Sequence, residues 1–399
     1  MEQEQRERKT IMADTAVDVA IIGAGLAGLV CAQQLQQDGY RVVVVEKSRG
    51  LGGRLATRRL HSTCADHGVR SLTVQGKLTQ CLITALLQST VIQPWTDEAW
   101  AAPANPAQLD AAQITPVHAK WHYAANAGLT AVAKFLAKDL EIWRGHRVQA
   151  VGADQCWRLT LEASESESMP ALTARSLIMA IPAPQALMLL EPLLEVGLCA
   201  DLVQQVRSVQ FEPCITAIAT YSPEKQAVLA HLPWRAKQFT EAACDLAWLS
   251  LESTKRPAEM PVFVVQSTAK FAECYLETPD LQAVGQALLN AAANETANEL
   301  GWLNSPLQLQ VHRWRYAFVL QPLPQSCLTA TAPLPLVCSG DWCGGNQIES
   351  ALESGLTAAV QMVQLLKHPT LVAATDTAPQ PTLALEQRWQ QLMQKLTVS

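Results

Sequence analysis

The feature that most constrains the fold is a strand, turn, helix and strand pattern near the start of the chain. An apolar run from Val17 to Ile22 is followed by the turn Gly23-Ala24-Gly25-Leu26-Ala27-Gly28 and then by a helical pattern. Gly39 ends that helix, and Arg41 to Glu46 forms a second β-branched run. Two buried strands joined by a helix form a right-handed βαβ unit, which predicts a parallel sheet of the Rossmann type.

The glycine turn has the spacing of a dinucleotide-binding site. Gly23 permits the tight turn, Gly25 lets the backbone approach a pyrophosphate, and Gly28 allows the helix to pack closely on the strand. Glu46, at the end of the second strand, would accept hydrogen bonds from the ribose hydroxyls of an adenosine. This motif predicts an ADP-containing cofactor and does not by itself distinguish NAD from FAD.

The segment that follows the second strand favours FAD. It runs from Lys47 to Arg54 and contains the paired glycines Gly52 and Gly53. Paired glycines bring a second stretch of backbone against a cofactor, and Arg54 supplies a cation for its phosphates.

A second segment, near the other end of the chain, also favours FAD, which is long enough to need contacts at both ends. An apolar strand from Pro335 to Ser339 leads into Gly340-Asp341, where Asp341 can accept a hydrogen bond from a ribityl hydroxyl. A helix beginning at Ile348 and Glu349 would direct its positive N-terminus at the flavin. FAD is therefore the predicted cofactor.

Composition narrows the class of protein. The 399 residues are 49% hydrophobic and 17% charged, as expected of a soluble globular protein with more than one domain. A net charge of -6 argues against nucleic-acid binding. The apolar stretch from Ser176 to Leu190 is too short to span a bilayer, so no membrane span is expected.

The cysteines and the N-terminal residues bear on location and metals. The 11 cysteines lack CxxC spacing, which indicates reduced thiols in a cytoplasmic protein and no metal site. Residues 1–10 lack the order of a secretory signal. The oligomeric state cannot be inferred from the sequence.

The expected fold class is α/β, with a Rossmann-like FAD-binding domain and an inserted α+β substrate domain. Glu141 to Val151 is predicted as a strand, and strand-like runs fill the region from Gln210 to Phe271. The predicted parts are a disordered tail (1–14), a discontinuous FAD-binding domain (15–75, 125–190 and 335–368), a substrate domain (76–124 and 191–334), and a linker with a short C-terminal helix (369–399).

The chain resembles the renalases, within the flavin amine oxidase-like group, over roughly residues 15 to 365. The matching stretches are Gly23–Gly28, Glu46–Arg59, Ala65–Gly68, Arg147-Val148, Ile181–Pro184, His312–Tyr316, Gly340-Asp341 and Ser354-Gly355. The resemblance implies a p-hydroxybenzoate hydroxylase-like two-domain fold with noncovalent FAD.

The resemblance also implies a reaction and several contacts. Dihydro isomers of NAD(P)H would be oxidised by hydride transfer to flavin N5, with O2 as the acceptor and H2O2 as the product. Gly68 and Val69 would line the flavin, Val148 would meet the adenine side, and Asp341 the ribityl chain. The chain departs from the family pattern at Val69-Arg70-Ser71, where renalases commonly have Gln-Tyr after Asp-x-Gly-Ala.

Hydride transfer requires stacked geometry and exclusion of water more than an acid and a base, so the candidate catalytic residues are aromatic and cationic. They are Trp314, Trp248, Arg70 and Arg315. Strand alternation places Trp314 with His312 and Tyr316 on one face and Arg315 on the other. Core packing is the competing role for both tryptophans, and a solvated or structural role for both arginines. Gln266, His67 and His122 are weaker candidates.

Three functions are compatible with these motifs. The first is an FAD-dependent oxidase of dihydronicotinamide nucleotides. The second is a flavin amine oxidase acting on an amine or amino acid. The third is a noncatalytic FAD-binding regulator.

Overall fold

The computed structural model describes residues 16–96, 100–102, 121–162, 171–240, 244–367 and 382–398. The predicted tail at 1–14 and most of the predicted linker after residue 368 lie outside the described residues.

Most of the strands belong to two large sheets. In chain order they are β1 (Val17–Ile22), β2 (Val42–Glu46), β3 (Thr57–Arg59), β4 (Cys64–Asp66), β5 (Gln93–Thr96), β6 (Trp100–Ala102), β7 (His122–Ala124), β8 (Glu141–Arg144), β9 (Val148–Ala153), β10 (Trp157–Leu161), β11 (Leu172–Met179), β12 (Gln210–Thr220), β13 (Ala236–Phe239), β14 (Leu246–Leu251), β15 (Val262–Ser267), β16 (Gln308–Gln321), β17 (Leu328–Ala330) and β18 (Leu336–Cys338).

Helices cover the faces of these sheets. In chain order they are α1 (Leu26–Gln37), α2 (Lys77–Gln88), α3 (Thr130–Leu136), α4 (Ala183–Leu190), α5 (Ala200–Ser208), α6 (Gln226–Leu229), α7 (Ala269–Cys274), α8 (Leu281–Glu295), α9 (Ala297–Leu300), α10 (Ile348–Lys367) and α11 (Thr382–Val398).

The first sheet is built around the predicted βαβ unit. Its main path is β17-β18-β11-β1-β2-β8, and the five strands from β18 to β8 are parallel. The strands β9, β10 and β17 join it antiparallel. β2 is buried along its whole length, as expected of a parallel strand with helices on both faces. The carboxyl ends of β1 and β2 therefore meet at one edge, where the glycine turn lies.

The strand predicted from Glu141 to Val151 is wrong in one respect. The structure divides it into β8 and β9, because Gly145 adopts φ +78° between them and interrupts the extended backbone. β8 pairs in parallel with β2, whereas β9 pairs only with β10.

Helix α10 closes the first sheet by packing on α1. Gly355 permits this close approach, since an added Cβ would lie 2.5 Å from Ala27 O. The helix brings the end of the chain onto the βαβ unit, so β18 and the residues after it reach the glycine turn.

The second sheet has the order β16-β12-β15-β14-β13-β6 and is antiparallel except between β13 and β6. Strands β12 to β15 lie in the region from Gln210 to Phe271 in which strand-like runs were predicted, whereas β6 and β16 lie outside it. Helix α8 covers one face of this sheet. The expected division into a Rossmann-like unit and a second, inserted unit agrees with these two sheets. The exact domain boundaries stay a prediction. None of the described helices is long and apolar enough to cross a bilayer.

Candidate functional site

The glycine turn between β1 and α1 is shaped by its neighbours at two positions and left open at a third. Gly23 has φ +107°, and an added Cβ would lie 2.4 Å from Ala180 O. At Gly28 a Cβ would lie 2.1 Å from Gly23 O. At Gly25, by contrast, a Cβ would meet nothing within 4 Å. The open face at Gly25 is therefore the place where another molecule can approach the backbone.

The start of α1 is also free to bind an anion. Gly25 is its N-cap residue, and no side chain caps the helix. Uncapped N–H groups and the helix dipole together favour a phosphate at this position. The open turn and the uncapped helix fit the pyrophosphate of a dinucleotide.

Glu46 is buried at the end of β2 and braces the turn. Its Oε2 accepts from Ala24 N and its Oε1 from Ser48 N, each at 2.8 Å. A ribose contact at Glu46 stays a prediction. Lys47 points away, exposed and 3.3 Å from Gln185 Oε1. The predicted adenine-side residue Val148 begins β9, two residues after His146, whose N–H donates to Glu46 O at 3.0 Å.

Arg54 joins three parts of the site. Its Nη2 pairs with Asp341 Oδ1 at 2.5 Å, and its carbonyl accepts from Val69 N at 2.9 Å. The segment before it lies on the glycine turn, since Gly52 N donates to Ala24 O at 2.9 Å. The predicted residues at both ends of the chain are thus brought together around one arginine, which fits the elongated shape of FAD.

The side chain of Glu349 is held at the start of α2. Its carboxylate accepts from Leu78 N and Thr79 N at 2.9 and 2.7 Å, and its own N–H donates to Gln75 Oε1. A carboxylate at a helix N-terminus satisfies free amides and the helix dipole, so Glu349 caps α2, and its contact with FAD stays a prediction. Ile348 is half-buried beside it.

Residues 67–70, which we call the wall segment, are clamped against Arg54. At Gly68 an added Cβ would lie 2.1 Å from Arg54 O and 3.3 Å from Trp314 Cζ2. The carbonyl of His67 accepts from Trp314 Nε1 at 2.9 Å and from Thr216 Oγ1 at 3.1 Å. These contacts from the second sheet hold the wall segment in one position.

His67 of the wall segment forms an aromatic group with His312 and Trp314. The ring centroids of His312 and Trp314 are 4.3 Å apart, and those of His67 and His312 are 4.8 Å apart. Burial lowers the pKa of His67 to about 3 and that of His312 to about 4. Both are therefore neutral at pH 7. The buried Nδ1 of His67 has no hydrogen-bond partner among the described residues.

Arg70, Trp248 and Gln266 form a second group, which contacts the carbonyl of Gly68. The guanidinium of Arg70 lies 4.7 Å from the ring centroid of Trp248. Its Nε donates to Gln266 Oε1 at 2.7 Å, and Gln266 Nε2 donates to Gly68 O at 2.8 Å. Arg315 is not part of either group. It pairs with Glu277, and both side chains are exposed.

The residues that sequence reasoning missed form a buried charge cluster beneath the wall segment: Asp66, Glu252, Lys255 and Arg256. Their side chains are 0 to 2% exposed, and their pairs include Lys255 with Glu252 at 2.6 Å and Arg256 with Asp66 at 2.5 Å. Burial alone would raise the pKa of Asp66, but Lys255 and Arg256 outweigh it and hold that pKa below its usual value. The sequence signal that could have revealed this cluster is the group of charged residues directly after the buried strand β14, namely Glu252, Lys255 and Arg256.

The remaining histidine candidate also has a structural partner. His122 Nδ1 lies 2.7 Å from Ser71 Oγ. Among the described residues no group of His, Cys, Asp and Glu side chains is arranged to hold a metal ion.

Comparison with known families agrees with this geometry. A family described as an NAD(P)-binding Rossmann-like domain matches residues 21–82. A second family, flavin containing amine oxidoreductase, matches residues 113–363, which is more than half of the chain.

Named relatives match over short stretches only. A possible lysine-specific histone demethylase 1 of Drosophila melanogaster is 45% identical over 65 residues, 16% of this chain and 7% of that protein. An L-amino-acid oxidase of Siganus canaliculatus is 48% identical over 46 residues, 12% of this chain and 9% of that protein. The chain thus spans less than a tenth of the length of either relative.

Solved structures share the fold over most of the chain. A putrescine oxidase variant has a TM-score of 0.62 at 14% identity and covers 88% of this chain and 99% of its own. Cyclohexylamine oxidase from Brevibacterium oxydans IH-35A has a TM-score of 0.60 at 15% identity, with 88% and 100% covered. These likenesses confirm the predicted fold class, and the family match confirms FAD as the cofactor. The chain belongs to the flavin-containing amine oxidoreductase family.

Proposed function

We propose that this chain is a renalase-like oxidase that converts dihydro isomers of NAD(P)H to NAD(P)+, with O2 as the electron acceptor and H2O2 as the product. The observation that carries the proposal is the charge of the side chains around Gly68. His67 and His312 are neutral because burial lowers their pKa, and Arg70 is a cation with no carboxylate partner among the described residues.

This arrangement disfavours a simple amine as substrate. An amine is cationic at neutral pH, so Arg70 would repel it and the site would have to remove a proton first. A histidine with a pKa near 3 or 4 is a weak base for that purpose. A dihydropyridine ring is neutral and donates a hydride without losing a proton, so it needs neither a carboxylate partner nor a base.

FAD, when bound, supplies the two-electron acceptor. The chain contributes a fixed surface for the substrate. The carbonyls of His67 and Gly68 are held by Trp314, Thr216 and Gln266, while Val69 N is held by Arg54 O. A rigid wall segment favours hydride transfer because the donor and acceptor atoms must be held at near-contact distance. Trp248 and Trp314 add apolar surface that excludes water from this region.

The alternative from the same family is an oxidase of an amine or amino acid. Its support is the family match, since the named oxidases share the fold. An amino acid carries a carboxylate that Arg70 would accept, so this alternative is stronger for amino acids than for simple amines.

The test is reduction of the FAD-loaded protein in the absence of oxygen. We expect α-NADH or 6-dihydro-NAD to bleach the visible flavin band rapidly, and β-NADH, putrescine and an L-amino acid to bleach it slowly. Readmitted air should restore the band and release H2O2. Rapid bleaching by the amine or amino acid alone would overturn the proposal.

A further inference from the structure

Arg70 reaches from the wall segment to the second sheet, where its orientation is fixed. Its guanidinium stacks on Trp248 of β14 at 4.7 Å, and its Nε donates to Gln266 of β15 at 2.7 Å. Stacking fixes the plane of the guanidinium, and the amide fixes its rotation within that plane. The two Nη groups therefore present their hydrogens in a set direction.

Neither Nη group has an acceptor among the described residues, and no carboxylate in that part of the chain pairs with Arg70. The buried charge cluster offers no spare charge. Glu252 is paired with Lys255, and Asp66 with Arg256. Arg70 thus adds one unbalanced positive charge to a group that is otherwise neutral.

A donor on the stacked tryptophan is also unpaired. Trp248 is 3% exposed, and its Nε1 has no hydrogen-bond partner among the described residues. Buried N–H groups are seldom left without an acceptor, because desolvation is then uncompensated. Arg70 and Trp248 thus keep donors that no described residue accepts, which fits an acceptor supplied by a bound ligand.

Arg70 stays charged in this position. Burial lowers its pKa from the usual value near 12.5 to about 10, which still leaves it protonated at neutral pH. An acceptor that is also an anion would compensate both the charge and the missing hydrogen bonds.

We propose that Arg70, held by Trp248 and Gln266, is the receptor for a planar carboxylate carried by the substrate. This inference rests on the proposed function and narrows its substrate: among dihydropyridine nucleotides it favours those of the nicotinate type, with a carboxylate on the oxidised ring, over the NAD(P)H isomers, which carry a carboxamide there.

Geometry favours a carboxylate over the two related groups. The two parallel donors of a guanidinium edge match the two oxygens of a carboxylate. A carboxamide has only one oxygen that can accept a hydrogen bond. Its NH2 group is itself a donor and would face the second donor of the guanidinium. A phosphate is tetrahedral and would meet the edge with two of its oxygens while the others point into a region lined by Trp248.

The experiment is a titration of the oxidised, FAD-loaded protein with nicotinate and with nicotinamide, followed by the change in the visible flavin spectrum. The two rings have the same size and differ in charge. We expect nicotinate to bind at least about tenfold more tightly, as for a charge-assisted pair that replaces a neutral one. In Arg70→Gln this advantage should fall below about threefold.

Two further variants make the result specific. Arg207→Gln removes an exposed arginine that pairs with Glu191 at the surface, and should keep the full preference for nicotinate. Trp248→Phe keeps an aromatic ring under Arg70 and removes the unpaired N–H. Trp248→Phe should weaken nicotinate binding about threefold and leave nicotinamide binding unchanged. If Arg70→Gln fails to retain FAD, this variant tests the carboxylate receptor in its place.

The outcomes separate this proposal from the proposed function. Equal binding of the two rings, an unchanged preference in Arg70→Gln, or displacement of nicotinate by lower concentrations of inorganic phosphate would each overturn the carboxylate receptor. Since the titration needs no turnover, a preference that depends on Arg70 would support the receptor even if dihydronicotinamide isomers failed to reduce the flavin.

Discussion

Lys255 Nζ donates to the carbonyl oxygen of Arg70 at 2.6 Å, and this contact joins the buried charge cluster to the wall segment. Lys255 is fully buried and also pairs with Glu252 at 2.6 Å. The backbone of Arg70 is therefore fixed by Lys255, and its side chain is fixed by Trp248 and Gln266.

Lys255→Met should destabilise the protein strongly, because it leaves Asp66 and Glu252 buried with too little positive charge. We expect a loss of about 3–5 kcal/mol in the free energy of unfolding. Chemical denaturation of the FAD-loaded protein measures it. Lys77→Met is the matched control, since Lys77 is 74% exposed and pairs with Glu386 at the surface. That change should cost less than about 1 kcal/mol. Equal losses in the two variants would show that the buried pairing contributes little.

Alanine at two glycines of the turn should separate cofactor binding from folding. Gly25→Ala places a methyl in the open face, where nothing in the chain lies within 4 Å, so the protein should fold and lose FAD. Gly28→Ala places it 2.1 Å from Gly23 O, so the fold itself should be disturbed. Circular dichroism and the ratio of flavin to protein after gel filtration measure the two effects. A Gly25→Ala protein that kept its FAD would contradict the assigned phosphate position.

Asp341→Asn should weaken FAD binding, because it removes the charge that orients Arg54 at 2.5 Å. Charge-assisted hydrogen bonds are worth roughly 1.5–3 kcal/mol, so an increase of about tenfold or more in the dissociation constant is expected. Fluorescence titration of the apoprotein with FAD measures it. Asp18→Asn, at an exposed pair with Arg175 of 3.5 Å, is the control and should leave the affinity unchanged.

The two buried histidines should make stability fall as the pH is lowered. Burial depresses the folded-state pKa of His67 to about 3 and of His312 to about 4, against 6.5 for an ordinary histidine. The unfolded chain therefore binds more protons between pH 6.5 and about 4, and stability is lost across that interval by up to about 1.4 kcal/mol per pH unit for each histidine.

Unfolding by urea at a series of pH values between 7 and about 4 measures this slope. His312→Gln removes one of the two groups, so the slope with pH should become smaller whatever the variant's stability at pH 7. A slope that stayed the same would show that His312 does not contribute.

The sequence predicted the parts of the fold whose signals are local. The βαβ unit around Gly23–Gly28, the strand before Gly340 and the helix from Ile348 were all recognisable, because each combines a buried run with glycines at fixed spacing. The structure places them at one edge of the first sheet. The division of Glu141–Val151 into two strands was missed, since Gly145 looked like an ordinary interior glycine and its positive φ depends on tertiary pairing.

The parts of the site that depend on distant contacts were not predictable. Glu349 stands at the start of a helix, where an acidic side chain can serve that helix, a ligand or a neighbouring element. Only the position of α2 in the folded chain shows that its carboxylate caps α2. The buried charge cluster combines Asp66 with residues 186 to 190 positions later in the chain. Arg315 and Arg70 looked alike as cations near aromatic residues, and only their burial in the folded chain separates them.

The bond between Arg54 and Asp341 spans 287 residues of sequence. During synthesis the glycine turn therefore leaves the ribosome long before Asp341 is added. Until then the nascent protein must hold an incomplete cofactor site, with the wall segment lacking Trp314 for much of that interval. Contacts of such long sequence separation form late and slowly, so we expect yield to depend on chaperones and on free FAD when translation ends.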